Sequence, residues 1–205
     1  MSVKAVAFDY GGVISYYQDG EAMKDMADLA GIDPALMRRV YWDNRSAYDQ
    51  GLVDGAGYFT MILAGAGVSA DPALIEKLIR RDLASWSAVN PETEKLIGDL
   101  KKAGLKTAVL SNMVRDFVDR VKENLPVLAL PDVAVYSCDV DTVKPEEKIY
   151  RILLSRLGCD PGELVFFDDV EANVEGARKL GITALSWKGP EEARKELGIL
   201  CPGRL

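Results

Sequence analysis

Four places in the chain hold polar groups that could do chemistry. At the first, Asp9 follows the mostly apolar residues 4–8 and precedes Gly11 and Gly12. Glycine lets a backbone come close to a ligand, so this carboxylate could act as a nucleophile or as a metal ligand. The other three places hold Ser111 with Asn112, Lys144, and Asp168 with Asp169.

Each of these groups, taken alone, also has an ordinary structural explanation. An aspartate or a serine after a strand is commonly a turn residue or a helix cap. Lys144 precedes a proline and could be a solvated residue at the start of a helix. Their joint occurrence at or near predicted strand ends of one chain favours a shared site.

The three aspartates predict a metal site. If Asp9, Asp168 and Asp169 lie within a few ångströms of one another, they cannot all stay ionised without a cation. A set of oxygen ligands without histidine or cysteine favours Mg²⁺, which also binds the phosphate oxygens of substrates. We therefore expect Mg²⁺ as the cofactor.

The remaining groups are suited to bind a phosphate. Ser111 would offer a hydroxyl group and, with Asn112, backbone N–H groups at a helix start. Lys144 would add a positive charge next to the phosphate and next to Asp9. A nucleophile, a metal, a hydroxyl and a lysine together can stabilise a phosphoryl group during its transfer.

Composition narrows the class of protein. The chain has 205 residues and a net charge of −7, which argues against nucleic acid or an anionic membrane as the main partner. It contains no histidine, so histidine-dependent nucleophiles and histidine metal sites are excluded. We expect its three cysteines to be reduced thiols in a cytoplasmic protein that is a monomer or a homodimer. The cysteines are Cys138, Cys159 and Cys201.

The elements that must position these groups alternate between strands and helices. This pattern predicts an α/β fold, a Rossmann-like parallel sheet with helices on both faces. Residues 16–87 read as helices and turns, and we predict that they form an inserted helical cap between core segments 1–15 and 88–205. The predicted strands are residues 4–8, 105–110, 133–136, 164–167 and 182–186. Ligands bind such sheets outside the carboxyl ends of the strands.

The motifs, in this order, resemble those of the haloacid dehalogenase (HAD) superfamily of aspartate-nucleophile hydrolases. They are FDYGGV at residues 8–13, LSN at 110–112, VKPE at 143–146 and FFDDVEAN at 166–173. Residues 41–51 resemble the cap of the branch that includes sugar phosphatases and epoxide-hydrolase-like proteins. The resemblance covers nearly the whole chain.

The resemblance implies a magnesium-dependent phosphatase that acts on a small phosphorylated metabolite, such as a sugar phosphate. Asp9 would form an aspartyl-phosphate, with Lys144 as the second catalytic residue. The implied metal ligands are Asp9, the Gly11 carbonyl, Asp168 and Asp169, and the implied phosphate ligands are Ser111, Asn112 and Lys144. In the cap, helical spacing places Trp42, Arg45 and Tyr48 on one side, where they could contact the substrate or pack in the cap.

Gly11 departs from the family pattern. Phosphatases of the family usually carry an aspartate there, which protonates the leaving alcohol and is worth about 10²–10⁴-fold in rate. Three alternatives remain: an activated leaving group such as a sugar 1-phosphate, a donor from the cap, or a bound water. The resemblance favours the first, because a related branch with this glycine includes sugar 1-phosphate phosphatases.

Two other functions remain open. A haloacid dehalogenase needs no proton donor for its halide, but such enzymes work without metal and lack the aspartate pair in this form. A degenerate member could bind a phosphorylated ligand or a partner protein without catalysis. The retained Asp9, Ser111, Lys144 and Asp168 argue against that alternative.

Overall fold

Five short apolar segments form one parallel sheet in the computed structural model, which describes residues 2–203. The strands are β1 (Ala5–Phe8), β2 (Lys106–Ser111), β3 (Val133–Tyr136), β4 (Leu164–Asp168) and β5 (Thr183–Ser186). Their spatial order is β3-β2-β1-β4-β5. The chain therefore builds outward on one side of β1 and then crosses to the other side, which creates a switch point beside β1.

The register of the strands brings the predicted site residues to one edge. Phe8 of β1 pairs with Val109 of β2 and with Phe167 of β4. Asp9, the residue after β1, and Asp168, the last residue of β4, therefore lie at the same level of the sheet. This alignment follows from pairing alone, before any side-chain contact is considered.

Helices cover both faces of the sheet, as predicted. Along β1, Val6 and Phe8 belong to one hydrophobic cluster, and Ala5 and Ala7 belong to another. This alternation is that of a strand buried on both faces. The helices of the core are α6 (Pro91–Lys102), α7 (Arg115–Arg120), α8 (Ser137–Val140), α9 (Glu147–Leu157), α10 (Glu171–Arg178) and α11 (Pro190–Leu200).

The segment between β1 and α6, here called the helical insertion (residues 16–87), contains helices and turns. Its helices are α1 (Ala22–Ala30), α2 (Pro34–Asp43), α3 (Arg45–Asp49), α4 (Gly55–Gly65) and α5 (Pro72–Ser85). The Asp33 carboxylate caps α2 by accepting hydrogen bonds from two backbone N–H groups, and Asp71 caps α5 in the same way with one. A proline occupies the first turn of both helices, as their sequences predict.

Two boundaries in the helical insertion differ from prediction. The Asp33-Pro34 pair predicts a helix from residue 35 to about residue 45. In the structure this helix ends at Asp43, because the Asn44 side chain donates to the Val40 carbonyl at 2.7 Å, and the separate short helix α3 then begins. The sequence also predicts a turn over residues 51–57, but the chain becomes helical at Gly55, since Asp54 accepts from the Gly57 N–H at 2.8 Å.

The two connections of the helical insertion to the core lie side by side. Ser15 and Val89 form an isolated antiparallel bridge. The Tyr16 N–H donates to the Ala88 carbonyl at 2.8 Å. Among residues 2–203, no helix is both long enough and apolar enough to cross a membrane.

Candidate active site

The side chain of Lys144 joins the ends of β1 and β4. Its Nζ lies 2.7 Å from Oδ1 of Asp9 and 2.6 Å from Oδ2 of Asp168. All three residues are buried. An ammonium between two carboxylates compensates part of their charge where solvent cannot, so the three groups hold one another in place.

The side-chain amide of Asn112 is hydrogen-bonded to the backbone of Lys144. Its Oδ1 accepts from the Lys144 N–H at 2.8 Å, and its Nδ2 donates to the Lys144 carbonyl at 3.1 Å. The residue before it, Ser111, ends β2 and lines the same cavity as Asp9. Asn112 thereby fixes the position of the Lys144 backbone.

Asp168 is oriented by further donors. Its Oδ1 accepts from the Val170 N–H at 2.9 Å and from Asn173 Nδ2 at 3.0 Å. With Lys144 on Oδ2, every one of these contacts fixes the rotation of the carboxylate. Asn173 belongs to α10, so the first turn of this helix supports the site.

Three of the four predicted metal ligands, the carboxylates, lie together. Asp9, Asp168 and Asp169 each present a carboxylate oxygen, and these oxygens lie within 4.8 Å of one another. Two ligands on opposite sides of Mg²⁺ are about 4.2 Å apart, given Mg–O distances of about 2.1 Å. The spacing and the oxygen-only donor set therefore fit this ion.

The electrostatics of the cluster also fit a cation. Burial raises the pKa of Asp9 to about 7, and the charges of Asp168 and Asp169 contribute to the increase. Lys144 opposes it, but three carboxylates face this single ammonium. A divalent cation would supply the missing positive charge and keep Asp9 ionised.

Gly12 lets Asp169 and Tyr17 approach the backbone after β1. Its φ is +74°, a left-handed conformation that favours glycine. A Cβ atom on residue 12 would lie 3.0 Å from Oδ2 of Asp169 and 2.6 Å from Cε1 of Tyr17. Both the conformation and the lack of space explain this glycine.

A cavity of about 660 Å³ extends from these groups to the helical insertion. Such a volume is typical of sites for small molecules, which are commonly about 300–1,000 Å³. Asp9, Gly11 and Lys144 lie on its core side. From the insertion, its wall includes Arg38, Trp42, Arg45, Asp49, Asp82 and Trp86.

The family of the protein follows from a comparison with known sequences. The family model described as haloacid dehalogenase-like hydrolase matches residues 3–181. The chain belongs to this family. It is an enzyme of the HAD type, as the four motifs predict.

Relatives of this HAD-like hydrolase include proteins named as phosphatases. Phosphatase MT3486 of Mycobacterium tuberculosis is 26% identical over 190 residues, which are 90% of this chain and 87% of that protein. Bifunctional epoxide hydrolase 2 of mouse is 30% identical over 128 residues, 60% of this chain. The match spans only 23% of the mouse protein.

A solved structure shows the same fold. The HAD family enzyme bt-2542 of Bacteroides thetaiotaomicron, in complex with magnesium and inorganic phosphate, aligns with a TM-score of 0.77 at 21% identity. The alignment covers 91% of this chain and 95% of that one. At this level of identity the likeness shows the fold of the HAD-like hydrolase and not its substrate.

The three residues of the insertion that we expected to face the substrate take different positions. Trp42 and Arg45 line the cavity, and Trp42 is half exposed. Tyr48 is completely buried behind Arg45, and its hydroxyl donates to Asp116 of α7 at 3.1 Å. Helical spacing placed the three on one side of the segment but did not show which side packs inward.

Several cavity residues of this HAD-like hydrolase carry no clear sequence signal. Asp49 and Asp82 are charged residues in amphipathic helices, where a solvated face is the usual outcome. Trp86 comes at the end of α5 and could equally be a core residue. Asn173 is the last residue of the FFDDVEAN motif, and its position five residues after Asp168 is the sequence feature that could have indicated a role in the site.

Proposed function

We propose that this HAD-like hydrolase is a magnesium-dependent phosphatase of small phosphorylated metabolites, such as sugar phosphates. The observation that carries the proposal is the buried Lys144 ammonium between Asp9 and Asp168, with Asp169 beside them. This arrangement presents a nucleophile, a cation site and a positive charge at one edge of the sheet. The phosphatase names of several relatives support the same conclusion.

In this proposal Asp9 attacks the phosphorus atom and forms an aspartyl-phosphate, which water then hydrolyses. Mg²⁺ would be held by Asp9, the Gly11 carbonyl, Asp168 and Asp169, and it would neutralise the charge of the phosphoryl group. Lys144 would add its positive charge to the phosphate oxygens. Ser111 and Asn112 would donate a hydroxyl and backbone N–H groups to the same oxygens.

We propose that the helical insertion is a cap that closes the cavity over the substrate. Trp42 and Arg45 lie on the cavity wall and would contact the part of the substrate beyond the phosphate. The guanidinium carbon of Arg45 lies 5.5 Å from the centroid of the Tyr48 ring, so this ring packs against the arginine. A closed cap would exclude water from the phosphoryl group.

The test is hydrolysis of p-nitrophenyl phosphate, whose leaving group needs no acid. We expect turnover with Mg²⁺, loss of turnover with EDTA, and recovery when Mg²⁺ is added back. Asp9→Asn removes the nucleophile but keeps the shape of the side chain, and it should abolish turnover. Metal-independent release of halide from a haloacid would instead identify a dehalogenase, and phosphate binding without turnover would identify a non-catalytic member.

A further inference from the structure

The space next to Gly11 is occupied by a side chain of the helical insertion. Gly11 has φ −67° and ψ 125°, a conformation open to any residue, so the backbone does not require glycine here. A Cβ atom on residue 11 would lie 3.3 Å from Cζ3 of Trp86. The edge of the Trp86 indole therefore lies in close contact with the position that the Cβ atom of a larger residue 11 would take.

Trp86 is packed against the charged groups of the insertion. The guanidinium carbon of Arg45 lies 6.0 Å from the centroid of the indole and 5.3 Å from that of the Tyr41 ring. Nε of Arg45 donates to Oδ1 of Asp49 at 2.8 Å. Glycine at residue 11 thus leaves space for the Trp86 indole, which packs against Arg45, and Arg45 in turn binds the Asp49 carboxylate.

Two buried carboxylates share the Arg45 guanidinium. Besides Asp49, Oδ2 of Asp82 lies 3.6 Å from Nη1 of Arg45. Desolvation raises the pKa of Asp49 and that of Asp82, although Arg45 opposes it in both. Because one cation faces two buried anions, protonation of either carboxyl is more favourable than protonation of an exposed aspartate.

Asp49 is the more exposed member of the pair. Its side chain is 17% exposed, whereas that of Asp82 is 1% exposed and accepts from the Tyr41 hydroxyl at 2.6 Å. Asp49 lines the cavity that also contains Asp9 and Lys144. The Lys144 charge is close enough to act on the Asp49 carboxyl, lowering its pKa against the effect of burial.

The core also contacts the backbone of Asp49. The hydroxyl of Ser137, the first residue of α8 after β3, donates to the backbone carbonyl of Asp49. Gly51 also lies close to the core, because a Cβ atom on this residue would be 3.3 Å from the Cys138 backbone. Asp49 is therefore placed by the core as well as by Arg45.

We infer that Asp49 is the proton donor for the leaving group, supplied by the helical insertion in place of the carboxylate that residue 11 lacks. This inference rests on the proposed phosphatase function. It widens the expected substrates from activated esters to ordinary alkyl phosphates, because the leaving oxygen receives a proton as its bond to phosphorus breaks.

An Asp9 oxygen forms a bond to phosphorus, the bond from phosphorus to the leaving oxygen breaks, and its electron pair stays on that oxygen. Oδ2 of Asp49 gives its proton to the same oxygen, so an alcohol leaves and Asp49 becomes a carboxylate. Water then attacks the phosphorus of the aspartyl-phosphate and gives its proton to Asp49, which releases phosphate and restores both residues.

The test compares two esters of similar size under saturating Mg²⁺: p-nitrophenyl phosphate, whose leaving group needs no proton, and benzyl phosphate, whose leaving group does. Asp49→Asn keeps an acceptor for Arg45 and removes the proton. It should lower kcat/KM for benzyl phosphate by about 10²–10⁴-fold and for p-nitrophenyl phosphate by less than about 10-fold. Asp43→Asn, an exposed aspartate of α2, is the matched control and should leave both values unchanged.

Asp49→Glu keeps a proton donor at the same position and should hydrolyse benzyl phosphate at least about 10-fold faster than Asp49→Asn does. Equal losses on the two esters in Asp49→Asn would overturn the inference and assign the residue a structural role. If Asp49→Asn does not fold by circular dichroism, the unmodified protein decides: a kcat/KM for benzyl phosphate more than about 10⁴-fold below that for p-nitrophenyl phosphate would show that no donor assists the leaving group. Failure of the unmodified protein to hydrolyse p-nitrophenyl phosphate with Mg²⁺ would instead remove the proposed function.

Discussion

Lys144 connects the buried carboxylates of Asp9 and Asp168, and in the proposed function it also binds the phosphate. Burial lowers the pKa of its ammonium, but the charges of Asp9 and Asp168 outweigh that effect and leave the pKa above its usual value. The lysine therefore stays charged where a lone ammonium would not. At this scale, one side chain would serve both the proposed catalysis and the stability of the core.

Replacing Lys144 tests this dependence. Lys144→Met leaves two buried carboxylates without their cation and should lower the free energy of unfolding by about 3–5 kcal/mol. Urea unfolding without Mg²⁺ measures the change. Lys148→Met removes an exposed lysine of α9 and should change stability by less than about 0.5 kcal/mol. Similar values for the two variants would contradict the role of Lys144 in the buried network.

At the scale of elements, α7 of the core docks the helical insertion. The Asp116 carboxylate of α7 accepts from the Gly55 N–H at 2.7 Å, at the start of α4, and from the Tyr48 hydroxyl of α3. Asp116 thereby holds the beginning of one helix and the ring under Arg45. If the helical insertion is a cap, as proposed, this contact positions its cavity wall relative to the core.

Asp116→Ala should loosen the insertion and lower the free energy of unfolding by about 1.5–3 kcal/mol, since hydrogen bonds to a charged group are lost. Asp119→Ala, an exposed position on the same helix, provides the control. We expect kcat/KM for p-nitrophenyl and benzyl phosphate to fall together in Asp116→Ala, because the whole segment moves. A loss confined to benzyl phosphate would show that Asp116, and not Asp49, controls proton transfer.

For the whole molecule, we expect the proposed metal binding at the carboxylate cluster to be coupled to folding. A cation that binds only the folded chain at about 100 times its Kd stabilises it by about 2.7 kcal/mol. For a chain of this length, we expect Mg²⁺ to raise the Tm by about 5–10 °C in calorimetry.

The metal dependence of Tm can be separated from a general salt effect. Asp169→Asn removes one carboxylate from the cluster and should abolish most of the Mg²⁺ shift. Asp141→Asn changes the same charge at an exposed residue whose φ of 50° suits asparagine, and it should keep the shift. An identical response of both variants would exclude the aspartate cluster as the binding site.

Local residue patterns account for most of the fold. Apolar runs bounded by glycine and by Asp-Pro or Asn-Pro caps specify the strands and most of the helices, because these preferences act over a few neighbouring residues. Parallel pairing then brings residues that follow β1, β2 and β4 to one edge. For this reason Asp9, Ser111 and Asp168 could be assigned to a shared edge from their positions in the chain alone.

What the tertiary structure decides is how the helical insertion meets that edge. Nothing in the spacing of Arg45 or Tyr48 tells which face of α3 packs inward, and the structure buries the tyrosine and leaves the arginine on the cavity wall. The approach of Trp86 to Gly11 joins residues 75 positions apart, so it depends on packing between elements rather than on local preference. Chain-local forces thus specify the chemical groups of the core, and only long-range packing places a carboxylate of the insertion beside them.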